Sequence, residues 1–192
     1  MYTEFEATFT DISKDEAREK LKKAGAKLVR EEYLQKRCVF NLPKSHEIKG
    51  GWLRVRDEGD KITMSLKIVD GDKIENQKET QLVIDNFENA VNLFESIGCI
   101  KKAYQESKRE LWKLKDVEIT IDELPFLEPF VEIEGKSEEE VKEVAQKLGL
   151  DYSKAKFCAV DTLYSEKYGI SEDRINNHTP EILFESENPF IK

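Results

Sequence analysis

The chain has 192 residues, 39% hydrophobic and 37% charged, long enough for one domain that buries about 70% of the surface its unfolded form exposes. Its 40 acids against 31 bases leave a net charge of -9, which opposes the diffuse attraction of nonspecific nucleic-acid binding and predicts no nucleic-acid partner. No apolar run approaches the roughly 18 residues of a membrane helix, so no membrane partner is expected.

The opening MYTEFEATFTD alternates and carries acids, unlike a secretory signal or transit peptide, and Cys38, Cys99 and Cys158 form no CxxC. A reducing cytoplasm without disulfides or zinc is therefore expected. TEFEATF (3–9) sets Glu4, Glu6 and Thr8 against Phe5, Ala7 and Phe9, the two-residue period of a strand with one apolar face. SKDEAREKLKKAG (13–25) opens on Ser13/Glu16, closes on Gly25 and carries Ala17, Leu21 and Ala24 at helical spacing. VREEYLQKRCVF (29–40), GWLRVRD (51–57), KITMSLKIV (61–69) and KETQLVI (78–84) read as strands, with DEGDK and VDGDK as hairpin turns. A second helix is predicted over DNFENAVNLFESIG (85–98), capped by Asp85/Glu88 with Val91, Phe94 and Ile97 inward. SKRELWKL (107–114), VEITID (117–122) and FVEIEG (130–135) are strands, and SEEEVKEVAQKLG (137–149) is a third capped helix buried through Val141, Val144 and Leu148. Residues 170–192 contain turn formers and two prolines, predicting an irregular extension or docking segment after a domain over 1–169.

These elements form an α+β protein whose strands are antiparallel rather than βαβ-wound. Strand, capped helix, glycine and basic strand recur as FEATF…KKAG…LQKRCVF and TQLVI…ESIG…ESKRELW, so two halves are expected to close a barrel.

Every strand has one charged face, and the signs sort by strand. Glu4/Glu6, Glu118/Asp122 and Glu132/Glu134 are acidic; Arg54/Arg56, Lys67 and Arg109 are basic. A solvated sheet face explains any one of these strands. Like-charged neighbours repel, however, unless an opposite charge bridges them, as divalent cations bridge carboxylates and phosphates bridge arginines. Together the faces predict a closed antiparallel β-barrel of roughly eight strands with a charged interior and apolar outer faces covered by helices.

EFEAT, GGWLRVR, SLKI, KET, SKRELW and ITIDELPFLEPFVEIEG, in that order over residues 4–135, resemble the CYTH family, the triphosphate tunnel metalloenzymes. The resemblance implies a β-tunnel enzyme, binding a small-molecule triphosphate such as ATP, thiamine triphosphate or tripolyphosphate. It implies Mg²⁺ or Mn²⁺ on Glu4, Glu6, Asp122, Glu132 and Glu134, and triphosphate on Arg54, Arg56, Lys67 and Arg109, with Glu4, Glu6 and Arg109 catalytic and Glu79 a further tunnel acid. Hydrolysis is the expected reaction; class IV adenylyl cyclisation of ATP and non-catalytic nucleotide or polyphosphate binding are alternatives, and the chain is a monomer or homodimer.

Two positions depart from the family pattern. Thr8 stands where the opening ExExK motif has lysine, and Arg37 stands where an acid is expected, so Arg37 is expected to supply triphosphate-binding charge across the tunnel. His46 and His178 have no second ligand at metal spacing, Cys38 and Cys158 sit among apolar residues, and Trp52 and Trp112 are expected to pack under helices. Lys167 aligns loosely with a C-terminal family lysine and is expected to be solvated.

Overall fold

The computed structural model describes residues 1–191. Its order is β1 (Tyr2–Thr3), β2 (Phe5–Phe9), α1 (Lys14–Ala24), β3 (Lys27–Asn41), β4 (Gly51–Asp57), β5 (Ile62–Val69), β6 (Gln77–Ile84), α2 (Phe87–Ser96), β7 (Ile100–Leu114), β8 (Val117–Glu123), β9 (Phe130–Gly135), α3 (Glu138–Lys147), α4 (Val160–Tyr168), α5 (Glu172–Asn177) and β10 (Glu181–Ile182).

Nine strands run in the order β1-β6-β5-β4-β3-β7-β8-β9-β2. The two ends of that path are consecutive pieces of one amino-terminal strand, interrupted only at Glu4. Tyr2 and Thr3 pair with β6, Phe5 to Phe9 pair with β9, and the Glu4 N–H between them donates to the Gln77 carbonyl at 2.9 Å. The strand thereby bridges both edges and closes the antiparallel barrel. Beyond it, Thr8 and Lys156 exchange two backbone hydrogen bonds, at 3.0 and 2.9 Å, which cover an edge that would otherwise expose unpaired groups. The two halves expected from the repeat are present: β2-α1-β3-β4-β5 and β6-α2-β7-β8-β9 follow the same order and meet along the antiparallel β3/β7 pair.

The helices form where their punctuation lies. Ser13 and Ser137 accept hydrogen bonds from the backbone of Glu16 and Glu140, and Gly25 ends α1 at φ +79, a conformation open to glycine without steric cost. The cap of α2 is Asn86 rather than Asp85; its side chain accepts from Asn89 N–H. Ala90 and Phe94 face inward with Val91 packed beside them, while Ile97, which caps the helix at its carboxyl end, is exposed.

Two of the three apolar clusters lie outside the barrel wall. Ala7, Ile119 and Ile133 pack under α1 and α3; Phe40 and Val55 pack under α2, with Phe40 edge-on to Phe94 at 5.5 Å. A third cluster joins Leu124 and Phe130 to Tyr164 of α4 and to Ile175, Ile182 and Phe190. The segment after residue 170, expected to be irregular, thus contains α5 and β10, the latter parallel to β7, and buries three apolar side chains against the barrel. Among the described residues, no helix is long and apolar enough to cross a membrane.

Candidate active site

With apolar side chains on the outside, the two-residue period turns each strand's charged positions into the barrel. They border a cavity of about 290 Å³, near the lower end of the roughly 300–1,000 Å³ typical of small-molecule sites. Glu4 and Glu6, Arg37, Arg54 and Arg56, Lys67, Glu79, Arg109, Asp122, and Glu132 and Glu134 all line it. Of the sequence-predicted positions, Thr8 does not. It is buried beside the lumen, opposite Glu132 in register, with its backbone tied to Lys156.

The acids gather on one wall. Carboxylate oxygens of Glu4, Glu6 and Glu134 lie within 4.8 Å of one another, and Lys67 Nζ stands 2.8 Å from Glu4 Oε2. Burial, reinforced by Glu6 and Glu79 against the pull of Lys67, pushes the Glu4 carboxyl up to about 8. Burial and Glu6 raise Glu134 to about 7, and burial with Glu6 and Asp122 holds Glu132 well above the usual carboxylate range. Despite its own burial, Lys67 is held charged by Glu6 and Glu4. The cluster therefore holds more carboxylates than its lysine neutralises and keeps protons to compensate. Asp122 lies apart from the triad. Arg109 grips it through Nε and Nη2 at 2.7 and 2.8 Å and reaches Glu132 at 2.7 Å, and Thr120 Oγ1 donates to it at 2.6 Å.

The bases gather on the other wall. Arg37 and Arg56 are register partners on β3 and β4, and Arg54 follows on the same face. Arg54 pairs with Glu79 at 3.0 Å and Arg56 with Glu58 at 2.8 Å. Burial alone would raise Glu79, but Lys67 and Arg54 outweigh it and hold the carboxyl down at about 2. Arg37 borders the cavity, so part of its surface stays accessible although protein surrounds its guanidinium. Burial and the charges of Arg54, Arg56 and Arg109 push it down to about 9; burial, Arg54 and Arg109 bring Arg56 to about 10. The Nε atoms of Arg37, Arg54 and Arg56 are buried without an acceptor among the described residues. Unpaired buried donors of this kind are costly, and an anion's oxygens would satisfy them.

The donor set fits both halves of the expected ligand. Three clustered glutamates are hard oxygen donors suited to a divalent cation, and the protons held by Glu4 and Glu134 are what such a cation would displace.

A family model described as the CYTH domain matches residues 5–162. The chain belongs to the CYTH family. A relative from Methanocaldococcus jannaschii, named as a candidate adenylate cyclase, is 28% identical over 123 residues, 63% of this chain and 70% of the relative. A conserved hypothetical protein from Pyrococcus furiosus is 26% identical with a TM-score of 0.68, over 81% of this chain and 96% of that one. A candidate adenylate cyclase structure from Vibrio parahaemolyticus, 16% identical over 85% and 98% of the two chains, shares the fold with a TM-score of 0.70.

The CYTH tunnel of this chain also holds residues that the strand reading missed. Trp52 does not pack under a helix; it shares the face of Arg54 and Arg56, pairs in register with Lys67 and lines the cavity. Glu58 continues that parity one step past β4 and is buried against Arg56. Tyr33 donates to it at 3.4 Å and carries the Arg30 guanidinium 3.4 Å above its ring. The alternation through 52, 54, 56 and 58 was available as a signal for both missed positions. Trp112 is buried in the outer core, and Lys167 is bound outside the cavity to Glu128 and the Phe126 carbonyl.

Proposed function

We propose that this CYTH protein binds a small-molecule triphosphate together with Mg²⁺ or Mn²⁺ inside its tunnel and hydrolyses it. The observation that carries this reading is the set of three arginine Nε donors without acceptors, across the lumen from a glutamate cluster with surplus negative charge. Nine carboxylates and seven cationic side chains line the tunnel, so a polyanion finds no excess of positive charge unless cations accompany it.

In this reading Glu4, Glu6 and Glu134 hold the metal, with Glu132 and Asp122 beside them. Bound there, a divalent cation would neutralise phosphate oxygens and polarise the phosphorus under attack. Arg37, Arg54 and Arg56 donate to non-bridging oxygens, fixing the chain for in-line displacement. Water attacks phosphorus, the bridging P–O bond breaks, and the leaving phosphate takes the negative charge beside Arg109 and Lys67. The proton of that water passes to an oxygen of the leaving phosphate, because Glu134, once it holds the metal, is not free to accept it.

A second reading, conversion of ATP to cAMP and pyrophosphate, is favoured by the candidate-cyclase name of the Methanocaldococcus relative. Product identification separates the two: protein with Mg²⁺ or Mn²⁺ is incubated with ATP, thiamine triphosphate or tripolyphosphate. Orthophosphate release is expected. cAMP with pyrophosphate would replace hydrolysis by cyclisation, and binding without any product would leave a sensor with Thr8 in place of the family's lysine.

A further inference from the structure

Along the lumen face of β4 the residues in step are Trp52, Arg54 and Arg56, and Glu58 continues their parity one residue past the strand's end. Each step is about 7 Å. Arg56 stands in register with Arg37 on one side and Thr63 on the other. Glu58 takes the next position toward the β4–β5 hairpin, where its N–H donates to the Lys61 carbonyl at 2.9 Å, and its side chain borders the cavity although the residue is 4% exposed. We propose that Glu58 is a length gauge: it ends the phosphate-binding row, so that the tunnel accepts a triphosphate and rejects a linear chain carrying a fourth phosphate. The proposal rests on the reading of the tunnel as a triphosphate site.

The layer around Glu58 has turned its donors toward that carboxylate. Arg56 Nη2 lies 2.8 Å from Glu58 Oε1, and Lys61 Nζ lies 3.5 Å from Oε2. Ser107 Oγ donates to Gln35 Oε1 at 3.1 Å, Gln35 Nε2 donates to the Tyr33 hydroxyl at 3.4 Å, and that hydroxyl donates to Glu58 Oε2 at 3.4 Å. Gln35 and Ser107 are buried, so packing fixes the direction of the chain. Arg30 is also committed at this end, donating to the Glu58 carbonyl at 2.7 Å and pairing with Asp60 at 2.6 Å. One step inward the situation reverses, because the Nε atoms of Arg37, Arg54 and Arg56 have no acceptor among the described residues. The unpaired buried donors therefore lie on the inner side of Glu58.

A phosphate among the three arginines supplies the acceptors they lack. A further phosphate toward the hairpin would set its oxygens against the Glu58 carboxylate and compete with it for Arg56 and Lys61. The protein encloses that space, so the repulsion is screened less than at a surface. Like charges brought together in this way are a means by which a site rejects a near match to its ligand. A carboxylate that served only to hold Arg56 would instead affect every phosphate ligand alike.

The opposite end of the row gives a longer chain no compensation from β4 or β5. The step before Arg54 is Trp52, which carries no charge, and its register neighbour Lys67 is held by Glu4 at 2.8 Å. Sliding away from Glu58 would exchange unpaired arginine donors for a neutral ring and a lysine already paired.

The test is calorimetric titration of tripolyphosphate and of linear tetrapolyphosphate into the full chain at excess Mg²⁺, for wild type, Glu58→Gln and Glu58→Asp. Wild type should bind tripolyphosphate at least about tenfold more tightly than tetrapolyphosphate. Glu58→Gln keeps the side chain's size and removes its charge, and should bring the two affinities within about threefold of each other. Glu58→Asp keeps the charge and should retain most of the discrimination. Tripolyphosphate binding by each variant reports that its barrel is folded. A ratio that stays at the wild-type value in Glu58→Gln, through equal gains or equal losses for both ligands, would make Glu58 a partner of Arg56 alone and overturn the gauge. Glu58→Asp that discriminates no better than Glu58→Gln would overturn the role of the charge. Wild type that binds tetrapolyphosphate as tightly as tripolyphosphate would overturn the gauge and leave the tunnel reading intact; wild type that binds neither would overturn both.

Discussion

Metal affinity should depend steeply on pH, because the proposed ligands must shed protons before a divalent cation can use them. Glu4 titrates at about 8 and Glu134 at about 7. At about pH 6 Glu4 is then about 99% protonated and Glu134 about 90%, whereas at about pH 8.5 both are mostly ionised. If binding displaces only the Glu4 proton, the Mn²⁺ dissociation constant tightens by about 80-fold across that range; if it displaces both, by about 800-fold. Calorimetry in buffers of different ionisation enthalpy gives both the affinity and the number of protons released. One to two protons near neutral pH are expected, and Glu4→Gln/Glu6→Gln should abolish binding and release together. Affinity that is flat between the two pH values, or equal in the double variant, would refute the assignment of the glutamate cluster as the metal site.

Without metal, thermal stability should fall as pH rises from about 4.5 to about 8: folded Glu4 keeps its proton up to about 8, while the unfolded carboxylate loses it near 4.5, so the folded state binds more protons in that window. Adding Mn²⁺ above that window should reverse the loss in a melting scan, and a melting temperature that rises with pH in metal-free buffer would contradict the placement. Arg54→Met should cost about 1–3 kcal/mol in denaturant unfolding, because it removes one of the two cations that hold buried Glu79 ionised and leaves Lys67; adding Glu79→Gln should recover part of that loss. Phe190→Ala should cost about 3 kcal/mol, since Phe190 is buried against Tyr164 with ring centroids 4.7 Å apart; a change within experimental error would mean the tail does not belong to the folded core. Arg37→Ala should weaken tripolyphosphate by at least about tenfold, the scale of one charge-assisted contact, and unchanged affinity would remove Arg37 from the anion grip.

The tunnel was legible in the sequence because a strand's period is two and holds for as long as the strand does. Glu4/Glu6, Arg54/Arg56 and Glu132/Glu134 each fix a face, and once apolar neighbours such as Ala7, Val55 and Ile133 are buried outside, those faces have only the lumen to enter. What the period could not supply was pairing across distant strands. The contact of Arg109 with both Asp122 and Glu132 depends on β7, β8 and β9 being adjacent, and the division of the first strand at Glu4 depends on barrel closure. Trp52 was misplaced because its aromatic character outweighed its parity with Arg54. The cap formed by α4 and α5 carried weak local signals: Ala159 gives α4 no side-chain cap, and α5 is only six residues long. Its position comes instead from long-range burial of Ile175, Ile182 and Phe190.

The most direct measurement of the tunnel's role is titration of tripolyphosphate into the protein with Mg²⁺, with a chelator instead of Mg²⁺, and with Mg²⁺ in an Arg54→Met/Arg56→Met variant that retains its circular dichroism. Saturable one-to-one binding is expected with metal, with large loss in the chelator and in the variant. Equal binding in all three, or none in the first, would contradict a metal-dependent triphosphate site inside the barrel.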